Sequence, residues 1–489
     1  MTEKLQTRCV IAGGGPAGIM AGYLLARAGV PVIVLEKHAD FFRDFRGDTI
    51  HPSTLELMYE LGLLDEFLKQ PHQEVRELRA VVNGQPVPIA DFTKLPTHCK
   101  FIAFMPQWDF LNFVSTHARA FPSFQLLMQH EVIDVLFDQE RVTGVRAKTP
   151  RGALEIHADL VIGADGRHSI IQTCAKLERQ DFGVAIDALW MRLSKKQDDP
   201  QQTLGFFQGG KLLVLLDRGE YWQCGFVIPK GGFDAIKVRG LQQLQKQIVD
   251  FVGFLRDRVA ELDDWSEIKL LTVQINRLRD WCRDGVLCIG DSAHAMSPAG
   301  GVGINLAIQD AVATANLLAG KLRTGPVSVD DLRKVQARRE WPTRLIQAMQ
   351  VFVHRHVVTG QTSQRKNSLP LVVRLLKWFP VLRQLPARFI GIGPRPEHIC
   401  SRGRLPRRRC SGHTSLAGVI APGYNCASDR RMKESSSILA SPLTGSELST
   451  PFSDGRISWK TQSGYDPRSA PTDSPIHSSH ARPDEFVAE

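Results

Sequence analysis

Three short stretches of this chain bring together residue types suited to gripping a phosphorylated ligand. The first is Gly13-Gly-Gly15-Pro-Ala17-Gly18, a G-x-G-x-x-G spacing. Gly13 permits a tight turn, Gly15 lets the backbone approach a pyrophosphate, and Gly18 allows a helix to pack closely on a strand. The first amides of the following helix lack intrahelical partners and carry partial positive charge, which suits phosphate. Glu36 stands 18 residues past Gly18, where its carboxylate can accept both hydroxyls of a ribose. By itself this stretch predicts a nucleotide site without saying which nucleotide.

The second stretch is Val161-Ile-Gly-Ala-Asp165-Gly-Arg-His-Ser169. The third runs from Gly285 through Asp291-Ser-Ala-His294 and Pro298-Ala-Gly-Gly301-Val-Gly303-Ile304-Asn305. Asp291 closes an apolar run that reads as a buried strand, the place where α/β sheets put ligand-contacting residues. A carboxylate there can accept hydrogen bonds from a polyol chain, each worth about 1.5–3 kcal/mol when charge-assisted. Residues 298–303 have little side-chain bulk, so backbone amides there can reach a flat ring. A helix starting at Gly303-Ile304-Asn305 would direct its positive end at the edge where such a ring holds negative charge, stabilising it by up to about 2 kcal/mol.

The second and third stretches resemble the DG and GD motifs of the p-hydroxybenzoate hydroxylase-like, group A FAD-dependent monooxygenases. All three motifs occur in that family's order and spacing, and the resemblance spans residues 7–399. It implies FAD as cofactor and NAD(P)H and O₂ as co-substrates. The implied reaction is hydroxylation or epoxidation of a small aromatic or polyketide-like substrate, of the kind met in secondary metabolism, through a flavin C4a-hydroperoxide. It further implies that Asp165 holds its loop near the FAD pyrophosphate and serves NAD(P)H binding. Arg46, and less well Arg43, would meet the pyrophosphate and ribityl region, as would Gln107; backbone at Val132 would meet adenine. His294 and His51 would fall near the flavin as weak catalytic candidates, and the family has no fixed acid–base residue to assign. No metal site is implied.

The elements that must position these residues are legible from periodicity. Residues 8–13, 32–35, 158–162 and 285–290 read as buried strands, and 16–28 and 303–318 as helices, so the first motif lies in a β-α-β unit. Residues 52–64 and 110–118 read as further helices, and 129–148 as a hairpin turning at Gly144. The predicted fold is α/β: a Rossmann-like FAD-binding domain interleaved with a β-sheet substrate domain, C-terminal helices and a disordered tail. Residues 1–181 form the first part of the FAD domain, with some strands of the other. Residues 182–279 are mainly the substrate sheet, with Trp190, Arg192, Phe206 and Trp222 as wall candidates that read equally well as core or surface residues. Residues 280–399 complete the FAD domain, and 400–489, rich in Ser, Pro, Gly and Arg, form the tail.

Composition sets bounds. With 489 residues, 43% hydrophobic and 23% charged, the chain suits a globular enzyme of two domains. The nine scattered cysteines include no C-x-x-C pair, and we read them as reduced thiols of a cytoplasmic protein. No signal peptide or transmembrane run is expected. The net charge of +10 is concentrated: residues 321–410 hold 20 Lys and Arg against 4 Asp and Glu. We read this as a solvated basic helical region, not a nucleic-acid face, and expect the basic, apolar stretch 369–385 to pack on the FAD domain and not on a membrane. The reading leaves room for a homodimer. Two alternatives remain at this stage. One is another flavoenzyme of the same superfamily: a reductase, an oxidase, or a halogenase, although Cys224-Gly-Phe226-Val-Ile-Pro229 lacks both tryptophans of the halogenase W-x-W-x-I-P. The other is a non-catalytic binding protein of the GDP-dissociation-inhibitor kind.

Overall fold

The computed structural model describes residues 3–42, 49–200, 203–355 and 371–401. The first sheet has eight strands. Its parallel core runs Phe124–Met128, Val32–Glu36, Glu3–Ala12, Gly152–Gly163, Val286–Cys288. At its carboxyl ends, Cys9–Ala12, Leu160–Gly163 and Val286–Cys288, the run is apolar and buried on both faces, as parallel strands covered by helices must be. Helix Pro16–Arg27 packs on it through small residues: a Cβ at Gly22 would lie 2.7 Å from a Val34 methyl carbon. Helix Val302–Leu322 lies beside it, nearly wholly buried. That helix with its leading turn, Ala299–Leu322, is the one span among the described residues long and apolar enough to cross a membrane. With 83% of its apolar window buried inside the fold, it is a core helix.

The hairpin expected over 129–148 forms from Glu131–Asp138 and Arg141–Thr149, but its turn is not at Gly144. The chain reverses at Gln139 and Glu140, with Gln139 in the left-handed region at φ 52°. Gly144 sits inside the second strand at a bulge, where a Cβ would come within 2.1 Å of the Ile156 carbonyl oxygen. The glycine serves a close strand crossing, which a sequence pattern cannot distinguish from a turn.

The second sheet has seven strands, ordered Lys269–Leu271, Ile186–Ser194, Tyr221–Pro229, Lys211–Asp217, Leu204–Gln208, Glu77–Val82, Gln85–Asp91. One face carries Leu189, Met191, Leu193, Leu213, Leu215, Trp222 and Phe226, packed under helix Leu241–Phe251. Residues of the opposite parity reach a different cluster, in which Leu216 packs with Phe92, Phe104, Ile390 and Ile392.

Long helix Val329–Val353 is capped by Ser328, whose Oγ accepts the Asp331 amide. Helices Leu371–Trp378 and Gln384–Gly391 follow. Of these two helices, the second packs on the FAD domain, with Phe389 against Met296, Val302 and Leu306, and both also meet the second sheet. They lie on strand Gln85–Asp91, the edge of the second sheet: Lys377 Nζ donates to Gln85 Oε1 at 3.3 Å, and Ala387 is buried with Ala90, Phe92 and Leu95. An edge strand exposes unpaired backbone, and covering it is a common structural solution. The tail beyond Ser401 lies outside the described residues.

Candidate active site

Parallel register places the three motif turns at one edge of the first sheet. Ala12 pairs with both Leu35 and Gly163, and Gly163 pairs with Cys288. The turns beginning at Gly13, Ala164 and Ile289 therefore leave the sheet side by side at the carboxyl ends of adjacent strands. They also interlock. The Gly13 amide donates to Leu35 O (2.8 Å), the Ala164 amide to Ala12 O (2.8 Å), and the Ile289 amide to Gly163 O (2.9 Å). Gly13, at φ 104°, sits so close to Ala164 that a Cβ would be 2.3 Å from its carbonyl oxygen. A Cβ on Gly290 would lie 3.2 Å from that of Ala17.

The glycines divide into those that pack and one that does not. A Cβ at Gly18 would stand 1.9 Å from the Gly13 carbonyl oxygen, and one at Gly14 would meet the Glu36 side chain. At Gly15 a Cβ would meet nothing within 4 Å, and φ is −74°, open to any residue. Among the described residues no atom requires glycine there; a phosphate drawn close to the helix terminus would. We therefore expect Gly15→Ala to fold with a penalty of about 1 kcal/mol or less, yet to bind FAD at least about tenfold more weakly. Gly18→Ala should instead lower thermal stability with or without ligand. Melting of the apoproteins with FAD titration separates the two; unaltered FAD affinity in Gly15→Ala would refute the assignment. Glu36, buried at the second strand's end, accepts the Gly14 amide through Oε2 and the His38 amide through Oε1, both at 3.0 Å. It thus braces the glycine turn from the end of the second strand.

Asp165 turns its carboxylate inward, into its own loop. It accepts Ser169 Oγ at 2.6 Å and the amides of Ile170 and Ile171 at 2.8 and 3.2 Å, tying the loop to short helix Ile170–Cys174. Desolvation raises its pKa, against the pull of those bonds. Asp291, a third exposed, is paired with Arg167 Nε at 3.1 Å. Arg167 belongs to the second motif and received no role from the sequence. The pair joins second motif to third, and the remaining guanidinium donors suit a phosphate or polyol.

Helix Val302–Leu322 starts from Gly301, left-handed at φ 62°, where a Cβ would be 2.2 Å from Thr49 Oγ1. Backbone amides 302–304 have no carbonyl one turn earlier in this helix to pair with. The Asn305 side chain is committed to the protein: its oxygen accepts the His51 amide and Thr54 Oγ1, and its nitrogen donates to Thr49 O and Gly301 O. The Asn305 side chain therefore braces the turn and is not a donor to a ring. The Pro298 side of the loop is held by helix Val329–Val353, since the Gln350 amide group bonds Ser297 N, Ser297 O and Ala299 O.

Neither histidine candidate is built as a solvent-facing base. His294 is buried, its Nε2 at 2.6 Å from Asp310 Oδ2; Asp310 also accepts Arg339 Nε at 3.0 Å and the Gly290 amide at 3.1 Å. His51 is also buried, and its Nδ1 lies 2.8 Å from Ile390 O. A carbonyl only accepts, so Nδ1 carries the proton. Burial lowers the His51 pKa to about 4, against the favourable Ile390 bond. The unfolded chain takes up this proton near pH 6.5 while the folded protein resists it to about 4, so stability falls as pH drops through that window. Between pH 7.5 and 5 this site should cost about 2 kcal/mol. Urea unfolding at both pH values tests it: His51→Gln should lose that increment, and an unchanged pH dependence would count against it.

Gln107 opens helix Gln107–Ala118 after Pro106, half-buried. Val132 is buried beside the Glu36 strand end, where the His130 amide bonds Glu36 O. Arg43 and Arg46 lie outside the described residues. The four wall candidates separate by strand parity. Trp222 is fully buried, its Nε1 donating to Asp199 at 2.8 Å, and Phe206 packs on the same helix-covered side. Neither belongs to the opposite face. Trp190, stacked over Gly225, and Arg192, 4.1 Å above the Tyr221 ring, have the opposite parity.

Comparisons with known proteins agree with this geometry. The family described as FAD binding domain matches residues 6–340. The chain is 32% identical over 384 residues to 6-methylpretetramide 4-monooxygenase of Streptomyces rimosus, covering 77% of this chain and 91% of that one. Its fold is similar to that of p-nitrophenol 4-monooxygenase PnpA from Pseudomonas putida DLL-E4, with a TM-score of 0.65 at 21% identity over 81% of this chain and all of the other. It is similar too to the OxyS anhydrotetracycline hydroxylase from Streptomyces rimosus, with a TM-score of 0.63 at 20% identity, covering 79% and 76%.

Proposed function

This chain belongs to the FAD binding domain family, and from that premise we propose how its own residues serve a flavin-dependent monooxygenase. It is an FAD-dependent monooxygenase. The residues at the strand ends fit the cofactor: an unfilled approach at Gly15, a braced carboxylate at Glu36, and an Asp–Arg pair spanning two motifs. FAD, when bound, supplies two-electron chemistry, accepting hydride from NAD(P)H and activating O₂.

The amides that follow Gly15 hold the pyrophosphate, with Ala17 and Gly18 keeping the helix close. Glu36 takes the adenosine ribose, Val132 flanks adenine, and Gln107 and Arg46 add donors near the ribityl and phosphate groups. Asp291, oriented by Arg167, accepts from the ribityl hydroxyls. Asp165 fixes the loop that carries Arg167. Pro298, Gly301 and Gly303 keep side chains away from the ring, and the amides that open the helix, through Ile304, stabilise negative charge on its edge while Asn305 braces the turn. The 182–279 sheet supplies the substrate wall through Trp190 and Arg192 and keeps bulk water out. His51 and His294 stay structural.

By its similarity to 6-methylpretetramide 4-monooxygenase, we take the substrate class to be aromatic and polyketide-like. The setting we propose is cytoplasmic, where NAD(P)H is available. The carrying observation is the shared register of the three strand ends. The test is NADPH oxidation with phenols and polycyclic polyketides under ¹⁸O₂, read by mass spectrometry. One labelled oxygen in product is expected. NADPH consumption yielding only H₂O₂ across the panel would point to an oxidase and overturn the reading.

A further inference from the structure

We propose that the segment Leu371–Gly391 seats this protein on an anionic lipid surface. Its two helices meet at the turn Pro380–Arg383, and Arg383 fixes the corner by donating to Leu376 O and Lys377 O at 2.9 and 3.1 Å. The inner side is committed to the edge strand: Ala387 is fully buried, and a Cβ on Gly391 would lie 2.9 Å from a Leu95 methyl carbon. The outer side is apolar. Leu375 is 38% exposed, Trp378 73%, Phe379 55%, Val381 70% and Leu385 67%. These five fall within eleven residues, out of seventeen exposed large hydrophobics among the described residues. Leu375 and Trp378, spaced i, i+3, share one face of helix Leu371–Trp378, and Phe379 follows directly in an extended conformation. Scattered exposed apolar residues are ordinary, whereas a contiguous set marks a contact surface.

Charge selects the partner. Residues 341–396 contain nine Lys and Arg and no Asp or Glu. Arg374, Lys377 and Arg388 are exposed beside the apolar ridge. A second copy laid on this face would oppose like charges with no acid to relieve them. An anionic bilayer supplies the missing negative charge, and Trp and Phe settle at the headgroup boundary while Lys and Arg reach toward the lipid phosphates. The seat also adjoins the proposed site: Gln384–Gly391 carries exposed Leu385 and, one turn on, Ile390, whose carbonyl accepts His51 Nδ1.

Flotation of the full-length holoprotein with vesicles tests this. The protein should float with 7:3 phosphatidylcholine:phosphatidylglycerol, not with phosphatidylcholine alone, and 0.5 M NaCl should release most of it. The double variant Trp378→Glu/Phe379→Glu alters only outward side chains. It should bind the anionic vesicles at least about tenfold more weakly, with flavin content and NADPH oxidation unchanged. Failure of the wild type to float, or undiminished flotation of the variant, would overturn the proposal. So would a wild-type dimer, seen by light scattering, that the variant dissolves, since that would assign the face to self-association.

Discussion

Asp291→Ala should purify colourless or nearly so. Asp291 stands in the turn Gly290–Ser292 just past strand Val286–Cys288, joined to Arg167 of the second motif at 3.1 Å. Removing the carboxylate takes away the acceptor proposed for the ribityl hydroxyls and leaves Arg167 without its orienting partner. A charge-assisted hydrogen bond contributes about 1.5–3 kcal/mol, so FAD should bind roughly 10- to 150-fold more weakly. The two side chains are 27% and 34% exposed, so the fold should lose little, and the apoprotein should melt near the wild type. Asp291→Asn keeps an acceptor without the charge and should fall between. Flavin absorbance per chain after purification, with titration of the apoprotein, checks all three. A stoichiometrically yellow Asp291→Ala would contradict the role.

Asp310→Ala should cost the most stability, about 3–5 kcal/mol. Asp310 is fully buried and joins the third motif to two helices. It accepts the Gly290 amide, lies against His294 Nε2, and pairs with Arg339, which also donates to Glu397 Oε1 at 3.2 Å and to Arg395 O at 2.9 Å. Burial alone would push its pKa up. The charges and hydrogen bonds of His294 and Arg339 outweigh that and hold it below the usual carboxylate range. Its stabilising contribution is therefore present above the ordinary Asp pKa and is lost as pH falls through the depressed one. Truncation leaves Arg339 a buried cation with one carboxylate fewer and frees the amide next to Asp291, so FAD affinity should fall as well. Urea unfolding at neutral pH checks the size; a loss under about 1 kcal/mol would show the network to be dispensable.

The parts of this site that depend on local chemistry were legible in the sequence. The glycine turn, Glu36 and Asp291 all sit where a strand must end, and period-2 and period-3.6 patterns locate those ends without tertiary information. The parts set by distant partners were not. Arg167 gains its interest from Asp291, 124 residues away, and Asp310 from Arg339 and Gly290. A signal for Arg167 existed, since a cation directly after an Asp-Gly turn at a strand end is suited to an anion. Trp222 and Phe206, open in the sequence between pocket wall and core, lie on the helix-covered side; residue type cannot say which face of a sheet a side chain takes, and the strand register can. Gly144 was taken for a turn because a bulge glycine and a turn glycine look alike along the chain. The stretch 369–385 read as basic and apolar, and only its seat on the edge strand shows which side chains remain outside.

The most direct measurement is FAD uptake by the apoprotein, followed by absorbance and quenching of flavin fluorescence. If amides, carboxylates and a helix terminus from three separate strand ends share one ligand, the chain should take up one FAD and turn yellow, and both Gly15→Ala and Asp291→Ala should bind FAD at least about tenfold more weakly while staying folded. A folded, colourless wild type that takes up no FAD would contradict the account at its base.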